Sequence, residues 1–353
     1  MSYKQELQDL METVVKEDGS DLHLAEGRSP VIRVGGTLIS LLKQPALTKE
    51  NMHGIVEEVL TTEAKSVFLK NKEADFAYDF KGQARFRGNI FIQQGRMGIA
   101  LRLIPNKIRT LQELNLPPII GTFAQRQQGF FLIVGPTGHG KSTTMAALIE
   151  MINNERTEHI ITIEDPIEYV FKPNKSVIDQ REVRIDTPDF YTALRGVFRQ
   201  DVDVLMVGEM REPETISVAV TAAETGHLVF STLHTNTAAN TVERIIDSFP
   251  GNQQDQIRIQ LAGSLAGILS QRLIPRISGG LIPAYELLIN NSAVTNLIRE
   301  NRVYEINTVI ETSSELGMID LNRSLVELVE KGEITVENAH LYSTNPKQLE
   351  KLL

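Results

Sequence analysis

The 353-residue chain reads as an α/β protein made of two domains. Three observations predict this. The length exceeds what one hydrophobic core usually serves, since single cores stop growing at about 250–300 residues. The first hundred residues mix helical spacing with strand alternation, whereas from about residue 119 short apolar strands alternate regularly with helices. Between the two, residues 105–118 hold three prolines and no clean periodicity, the composition of an interdomain linker. The expected units are therefore an α+β domain over 1–104, a linker over 105–118 and an α/β domain over 119–353 that ends in helices.

In the first domain Leu7, Leu10, Met11, Val14 and Val15 recur at helical spacing between charges. That predicts an amphipathic helix and not the apolar core of a signal peptide. "SDLHLAEG" and "SPVIRVGGTLISL" read as short strands with glycine turns. "LTKENMHGIVEEVLTTEAKSVFLKN" reads as two helices capped by Thr48 and by Thr61 or Thr62. "ADFAYDF", "ARFRGNIFIQQ" and "MGIALRLI" alternate as strands joined at Lys81-Gly82 and Gly95, so an antiparallel sheet with helices on one side is expected.

In the second domain "GFFLIV", "HIITIED", "SVIDQREV", "DVLMVGE" and "HLVFSTLHT" read as strands. Helices fall at 141–154, in "TPDFYTALRGVFRQ", "EPETISVAVTAAET" and "TAANTVERIIDSF", and mostly after residue 290. Apolar strands that alternate with helices predict a parallel sheet covered on both faces.

Composition narrows the function. Hydrophobic residues make up 41% and charged residues 23%, ordinary for a globular chain, and the formal charge of −9 argues against a non-specific DNA binder. There are no cysteines, so disulfides, iron–sulfur clusters and cysteine zinc sites are excluded. The apolar runs are far shorter than the roughly 18–20 residues that span a bilayer. A cytoplasmic protein is expected.

The chemistry concentrates in "GPTGHGKS", where Gly135, Gly138, Gly140, Lys141 and Ser142 fill the phosphate-loop pattern G-x-x-x-x-G-K-[ST]. Glycines let backbone amides turn toward phosphate oxygens, and the helix that follows adds its positive end. Lys141 supplies a charge for the β and γ phosphates and Ser142 a ligand for Mg²⁺, with Pro136, Thr137, His139 and Thr143 completing the nucleotide-binding stretch. Hydrolysis also needs carboxylates. Glu164 and Asp165 end one buried strand and Glu209 another, where a parallel sheet delivers side chains to its ligand crevice. One would activate the attacking water and the other hold Mg²⁺ through water, Glu209 being the metal candidate; which acts as base stays open. His227 and His234 bracket the next strand, either as satisfied structural residues or as sensors of the γ-phosphate. Arg85, Arg87, Arg96 and Arg102 crowd the strands before the linker. They make either a solvated strand face or arginine fingers for a nucleotide.

Taken in order, "GSDLHL", "GPTGHGKST", "ITIEDPIEY", "DVLMVGEMREPETISVAVTAAETGHLVFSTLHTNTA" and "ERIIDSFP" resemble the secretion ATPases of the type II secretion and type IV pilus superfamily, over nearly the whole chain. The retraction branch is the most similar. Extension and secretion members carry a tetracysteine zinc subdomain and a longer N-terminal region, and this chain has no cysteine and begins about 20 residues before "SDLHL". "AVTNLIRE" approximates the retraction motif of that branch through Ala293, Asn296 and Leu297, with Thr295 in place of its arginine. His139, Val202 and Ser231 also depart from the usual serine, proline and glycine. His139 is expected to make ATP affinity differ between pH 6 and 8.

The resemblance implies a PAS-like N-terminal domain and a RecA-like P-loop ATPase domain with a helical C-terminal region. It further implies a homohexamer that binds ATP and Mg²⁺ and powers pilus retraction and twitching motility. The implied partner is the inner-membrane pilus platform protein, at the cytoplasmic face of that membrane, with a paralogous retraction ATPase as a further partner. An accessory retraction paralogue is the alternative reading, and a nucleic-acid translocase a more distant one.

Overall fold

The computed structural model describes residues 2–82, 84–104 and 107–353. They divide into two units, one of residues 1–107 with 168–170 and one of 108–167 with 171–353. Pro105 and Asn106 of the expected linker lie outside the described residues. From Ile108 the chain belongs to the second unit, where Leu116 is already buried.

The first unit opens with α1 (Tyr3–Lys16), which Ser2 caps and which buries Leu7, Leu10, Met11 and Val14. Then come β1 (Gly19–Ala25), β2 (Val31–Val34) and β3 (Thr37–Ser40). Next are α2 (Lys49–Val59) and α3 (Thr62–Asn71). Thr48 and Asn51 close a reciprocal capping box at α2, and Thr61 caps α3, each side-chain cap contributing about 1 kcal/mol. The strands β4 (Glu73–Phe80), β5 (Ala84–Gln93) and β6 (Arg96–Ile104) complete an antiparallel sheet ordered β3-β2-β1-β6-β5-β4. Alternation sends Leu22, Leu24, Phe86, Ile90, Ile99 and Leu101 into one core with the apolar faces of α1 and α2. Their sequence neighbours point to the other face.

The second unit contains α4 (Gly121–Ala124), β7 (Gly129–Val134), α5 (Lys141–Glu155), β8 (His159–Glu164), β9 (Val177–Glu182) and α6 (Phe190–Val197). It continues with β10 (Val204–Val207), α7 (Pro213–Glu224), β11 (Leu228–Leu233), α8 (Ala238–Asp247) and α9 (Gly251–Ser264). A hairpin of β12 (Leu265–Pro275) and β13 (Leu281–Ile289) follows, then α10 (Ser292–Arg299), α11 (Ile306–Thr312), α12 (Leu321–Glu330), α13 (Val336–Tyr342) and α14 (Pro346–Leu352). The seven strands run β13-β12-β7-β11-β10-β8-β9, all parallel to their neighbours except β13, which pairs antiparallel with β12.

The central strands β7, β10 and β11 are buried at every residue, as a sheet covered on both faces requires. Phe130, Leu132 and Val134 face one core layer, while Phe131 on the other side stacks on Phe123 at 4.0 Å and meets the edge of Phe230. The sequence reading leaves α9 and the β12–β13 hairpin unassigned. β12 is buried from Leu265 to Gln271, so its apolar and polar residues do not alternate and the period-2 signal is missing. That hairpin carries residues the site depends on.

Candidate functional site: a phosphate loop at the carboxyl edge of a parallel sheet

Register places the strand ends together. Val134 pairs with Leu233, Ser231 with Val207, and Val207 with Ile163, so the loops after β7, β11, β10 and β8 leave from one edge of the sheet. In an open α/β sheet that edge is where ligands bind.

The loop from Gly135 to Gly140 joins β7 to α5. Gly135, Gly138 and Gly140 take φ of 141°, 80° and 80°, a region that side chains disfavour. At Gly135 a Cβ would also run into the carbonyl of Gln271. Helix α5 has no side-chain cap at its first turn, which leaves its positive end aimed into the loop. Lys141, the first residue of α5, is buried, and its Nζ donates to the carbonyls of Gly135 at 2.9 Å and Pro136 at 2.8 Å. The ammonium is thus folded back over the loop it closes.

His234, directly after β11, lies against this loop. Its Nδ1 is 3.5 Å from both Lys141 Nζ and Thr137 Oγ1, and its Nε2 is 3.7 Å from Glu209 Oε2. Arg211 holds the other Glu209 oxygen at 2.9 Å. Glu164 at the end of β8 is only 4% exposed, and its Oε1 accepts from Thr162 Oγ1 at 2.6 Å and Gln180 Nε2 at 3.1 Å. Asp165 instead pairs with Arg184 at 2.9 Å. Thr137, Lys141, His234 and Glu209 therefore form one linked group, with Glu164 on the same strand edge. Ser142 and Thr143 occupy the first turn of α5.

His227 belongs elsewhere. It stands before β11, at the amino edge of the sheet, where its carbonyl accepts from Gly129 and its Nδ1 lies 2.9 Å from the Ala222 carbonyl at the end of α7. A six-residue strand separates it from His234 by about 20 Å. Of the two readings of His227, these contacts favour the satisfied structural residue.

His139 is held through both its backbone and its ring. Its carbonyl accepts from Gln271 Nε2 at 2.9 Å, and its Nδ1 accepts the backbone N–H of Leu273 at 2.9 Å. Burial, then the positive charges of Arg272 and Lys141, hold the imidazole below the ordinary histidine range. Neutral His139 is the form that accepts from Leu273, and a group with a depressed folded pKa loses its contribution as pH falls through that pKa. The expected window moves to the acid side. ATP affinity should be flat from pH 7 to 8 in the wild type and in His139→Ser, and the wild type alone should weaken below about pH 6.5, the unperturbed value. Titration calorimetry across that range checks it, and a wild-type change confined to pH 7–8 would refute it.

Sequence reasoning missed Gln271, which is 2% exposed. Besides holding the His139 carbonyl, its Oε1 accepts from Thr144 Oγ1 on α5 at 2.8 Å, so one buried amide ties the loop to its helix. It also missed Glu286 on β13, whose Oε1 accepts the N–H of Ala238 at 2.7 Å at the start of α8. Burial pushes the Glu286 carboxyl up to about 7 against the opposing effect of the Ala238 bond. Their signal was faint: polar residues inside an apolar run.

Two other departures have local explanations. Ser231 is fully buried, and its hydroxyl donates to the Val207 carbonyl of β10 at 2.8 Å. Thr295 is half-buried on α10, and its hydroxyl contacts Asn290 Oδ1 at 3.2 Å. On the same helix Ala293 and Asn296 are exposed and Leu297 packs against the core.

In the first unit Arg87 pairs across the sheet with Arg102, Arg102 with Asp21, and Asp21 with Arg33. The two-residue period puts Arg85 and Arg96 on that same face, away from the helices. Arg102 Nε donates to Asp21 Oδ1 at 3.0 Å. Burial works to raise the Asp21 carboxyl, but Ser20 and Arg102 outweigh it and hold the group below its usual range.

A glycine loop closing on a buried lysine, with carboxylates and a histidine on adjoining strand ends, defines a P-loop nucleotide hydrolase. The type II/IV secretion system protein family matches residues 99–284. The chain is 42% identical to the type IV pilus retraction ATPase PilT of Pseudomonas aeruginosa, over 95% of this chain and 97% of that one. It is 39% identical to the type IV pilus ATPase PilU of the same organism, over 98% of this chain and 91% of the other. A crystal structure of the pilus retraction motor PilT with bound ADP superposes with a TM-score of 0.92 at 44% identity, covering 98% of both chains. The chain belongs to the type II/IV secretion system protein family and is an ATPase of the PilT type.

Proposed function

We propose that this chain is the motor that hydrolyses ATP to retract type IV pili. The observation that carries this reading is the linked group of Lys141, His234 and Glu209 around the phosphate loop, in a chain alike over nearly its full length to a retraction ATPase. In this reading the second unit is a RecA-like domain and the first a PAS-like domain. Six copies form a ring at the cytoplasmic face of the inner membrane, where they act on the pilus platform protein. No helix among the described residues is long and apolar enough to cross a membrane, which suits a peripheral motor.

Backbone amides of Gly138 to Thr143 and the amino end of α5 hold the phosphates, and Lys141 neutralises their charge. Glu164, fixed by Thr162 and Gln180, orients the attacking water, and His234 sits at the γ-phosphate end. Among the described residues no cluster of three or more His, Asp or Glu side chains could cage a cation. A cation here would take few protein ligands, the habit of Mg²⁺ on phosphates. Ser142 and, through water, Glu209 would hold it, and when bound it supplies charge neutralisation to the β and γ phosphates. Arg85, Arg87, Arg96 and Arg102 are candidate arginine fingers, and Ala293, Asn296 and Leu297 a retraction surface on α10.

Complementation of a retraction-null strain tests the function. The wild-type chain is expected to restore twitching and Glu209→Ala to fail. Loss of twitching with both chains, despite normal ATPase activity of the wild type, would overturn the principal retraction role. The likeness to PilU favours the accessory role as the second reading. Restoration only in the presence of a second retraction ATPase would select it.

A further inference from the structure

The β12–β13 hairpin lies beside β7 and reaches both loops of the site. Gln271 on β12 holds the phosphate loop through the His139 carbonyl. Its neighbour Ser270, pointing to the opposite face, donates its hydroxyl to the carbonyl of Asn236 at 2.8 Å. Ser270 pairs directly across the hairpin with Glu286, which accepts from Ala238. Two opposed side chains thus grip the segment that leads from His234 into α8 at both a carbonyl and an amide. Within that segment Thr235 bonds to Thr241, and Thr237 caps α8, so the stretch is held from within as well.

We infer that Glu286, together with Ser270, is a positioning residue for ATP hydrolysis that acts by fixing His234 between Lys141 and Glu209. The inference rests on the role given to His234 above. Geometry explains why a carboxylate serves here. The amino end of α8 presents an amide that needs an acceptor, and a carboxyl oxygen supplies one in either protonation state. Arg272 on β12 is the cation that acts on Glu286, and Asp320, which caps α12, is the like charge that opposes it. Among the described residues the His234 ring makes polar contacts of 3.5 to 3.7 Å, too long to fix it alone. Its placement comes from the backbone that carries it.

The experiment is a double-mutant cycle in ATP hydrolysis, run on the assembled full chain. Glu286→Leu, which removes the acceptor, is expected to lower kcat about tenfold with KM for ATP changed less than about twofold. Glu286→Gln keeps an acceptor oxygen and should restore kcat to within about threefold of wild type. In a His234→Ala background Glu286→Leu should cost less than about twofold, because coupled residues are not additive. The same fractional loss in both backgrounds would sink the inference. Hydrogen exchange of the 234–238 peptide separates this failure from failure of the His234 role, with faster exchange expected in Glu286→Leu. If His234→Ala alone keeps full kcat, the role of His234 is wrong and the catalytic inference falls with it, whatever the exchange shows. If His234→Ala is slow but exchange in Glu286→Leu is unchanged, the grip itself is refuted. Ser270→Ala removes the other bond without new bulk and should give a smaller loss of the same kind, so the test survives if Glu286→Leu does not fold.

Discussion

Lys141→Ala is expected to lower ATP hydrolysis by at least about a hundredfold, the scale of removing a preorganised charge from a phosphoryl-transfer site. Two losses add in this variant. The ammonium no longer offsets the charge on the transferred phosphoryl group, and the bonds from Nζ to the Gly135 and Pro136 carbonyls disappear, so the loop loses its internal closure. Nucleotide affinity should fall as well, because the loop must hold its glycine conformations without that clasp. Lys141→Arg should rescue little, since the longer planar guanidinium cannot fold back onto two adjacent carbonyls as a point charge does. Steady-state hydrolysis and binding of a non-hydrolysable ATP analogue separate the two losses. Activity within threefold of wild type in Lys141→Ala would remove the phosphate loop from the chemistry.

Glu164→Gln and Glu209→Gln should each reduce kcat by about two to three orders of magnitude, but they should part on metal dependence. Glu164 is dry and fixed by two donors on one oxygen, an arrangement suited to keeping one orientation toward a water. Its amide should bind ATP with near-normal affinity and stall before hydrolysis. Glu209 lies between Arg211 and His234 at the open end of the site. Its amide should raise the Mg²⁺ concentration needed for half-maximal rate. A shift in Mg²⁺ requirement for Glu164→Gln and none for Glu209→Gln would reverse the two roles.

Much of this was legible in the residues. The phosphate loop, the helix it opens and the four flanking strands announce themselves because each has a local cause: glycines for the turn, apolar runs for buried strands and threonine caps for helices. The carboxylates were findable because a parallel sheet sends every strand end to one edge. The choice for His227 was not, since "HLVFSTLHT" places a histidine at each end and only strand direction says which faces the ligand. For His139 the sequence offered a titratable side chain in the phosphate loop, but not the Leu273 amide that its ring accepts from.

By itself the sequence determined a chain that binds a nucleoside triphosphate on a parallel sheet, because phosphate recognition here is written in contiguous residues. Tertiary structure alone decided how the site is held. Ser270, Gln271 and Glu286 lie 34 to 132 residues from their partners Asn236, His139, Thr144 and Ala238; their bonds exist only once β12 has paired with β7 and β13 with β12, and no local pattern encodes a hydrogen bond across that distance.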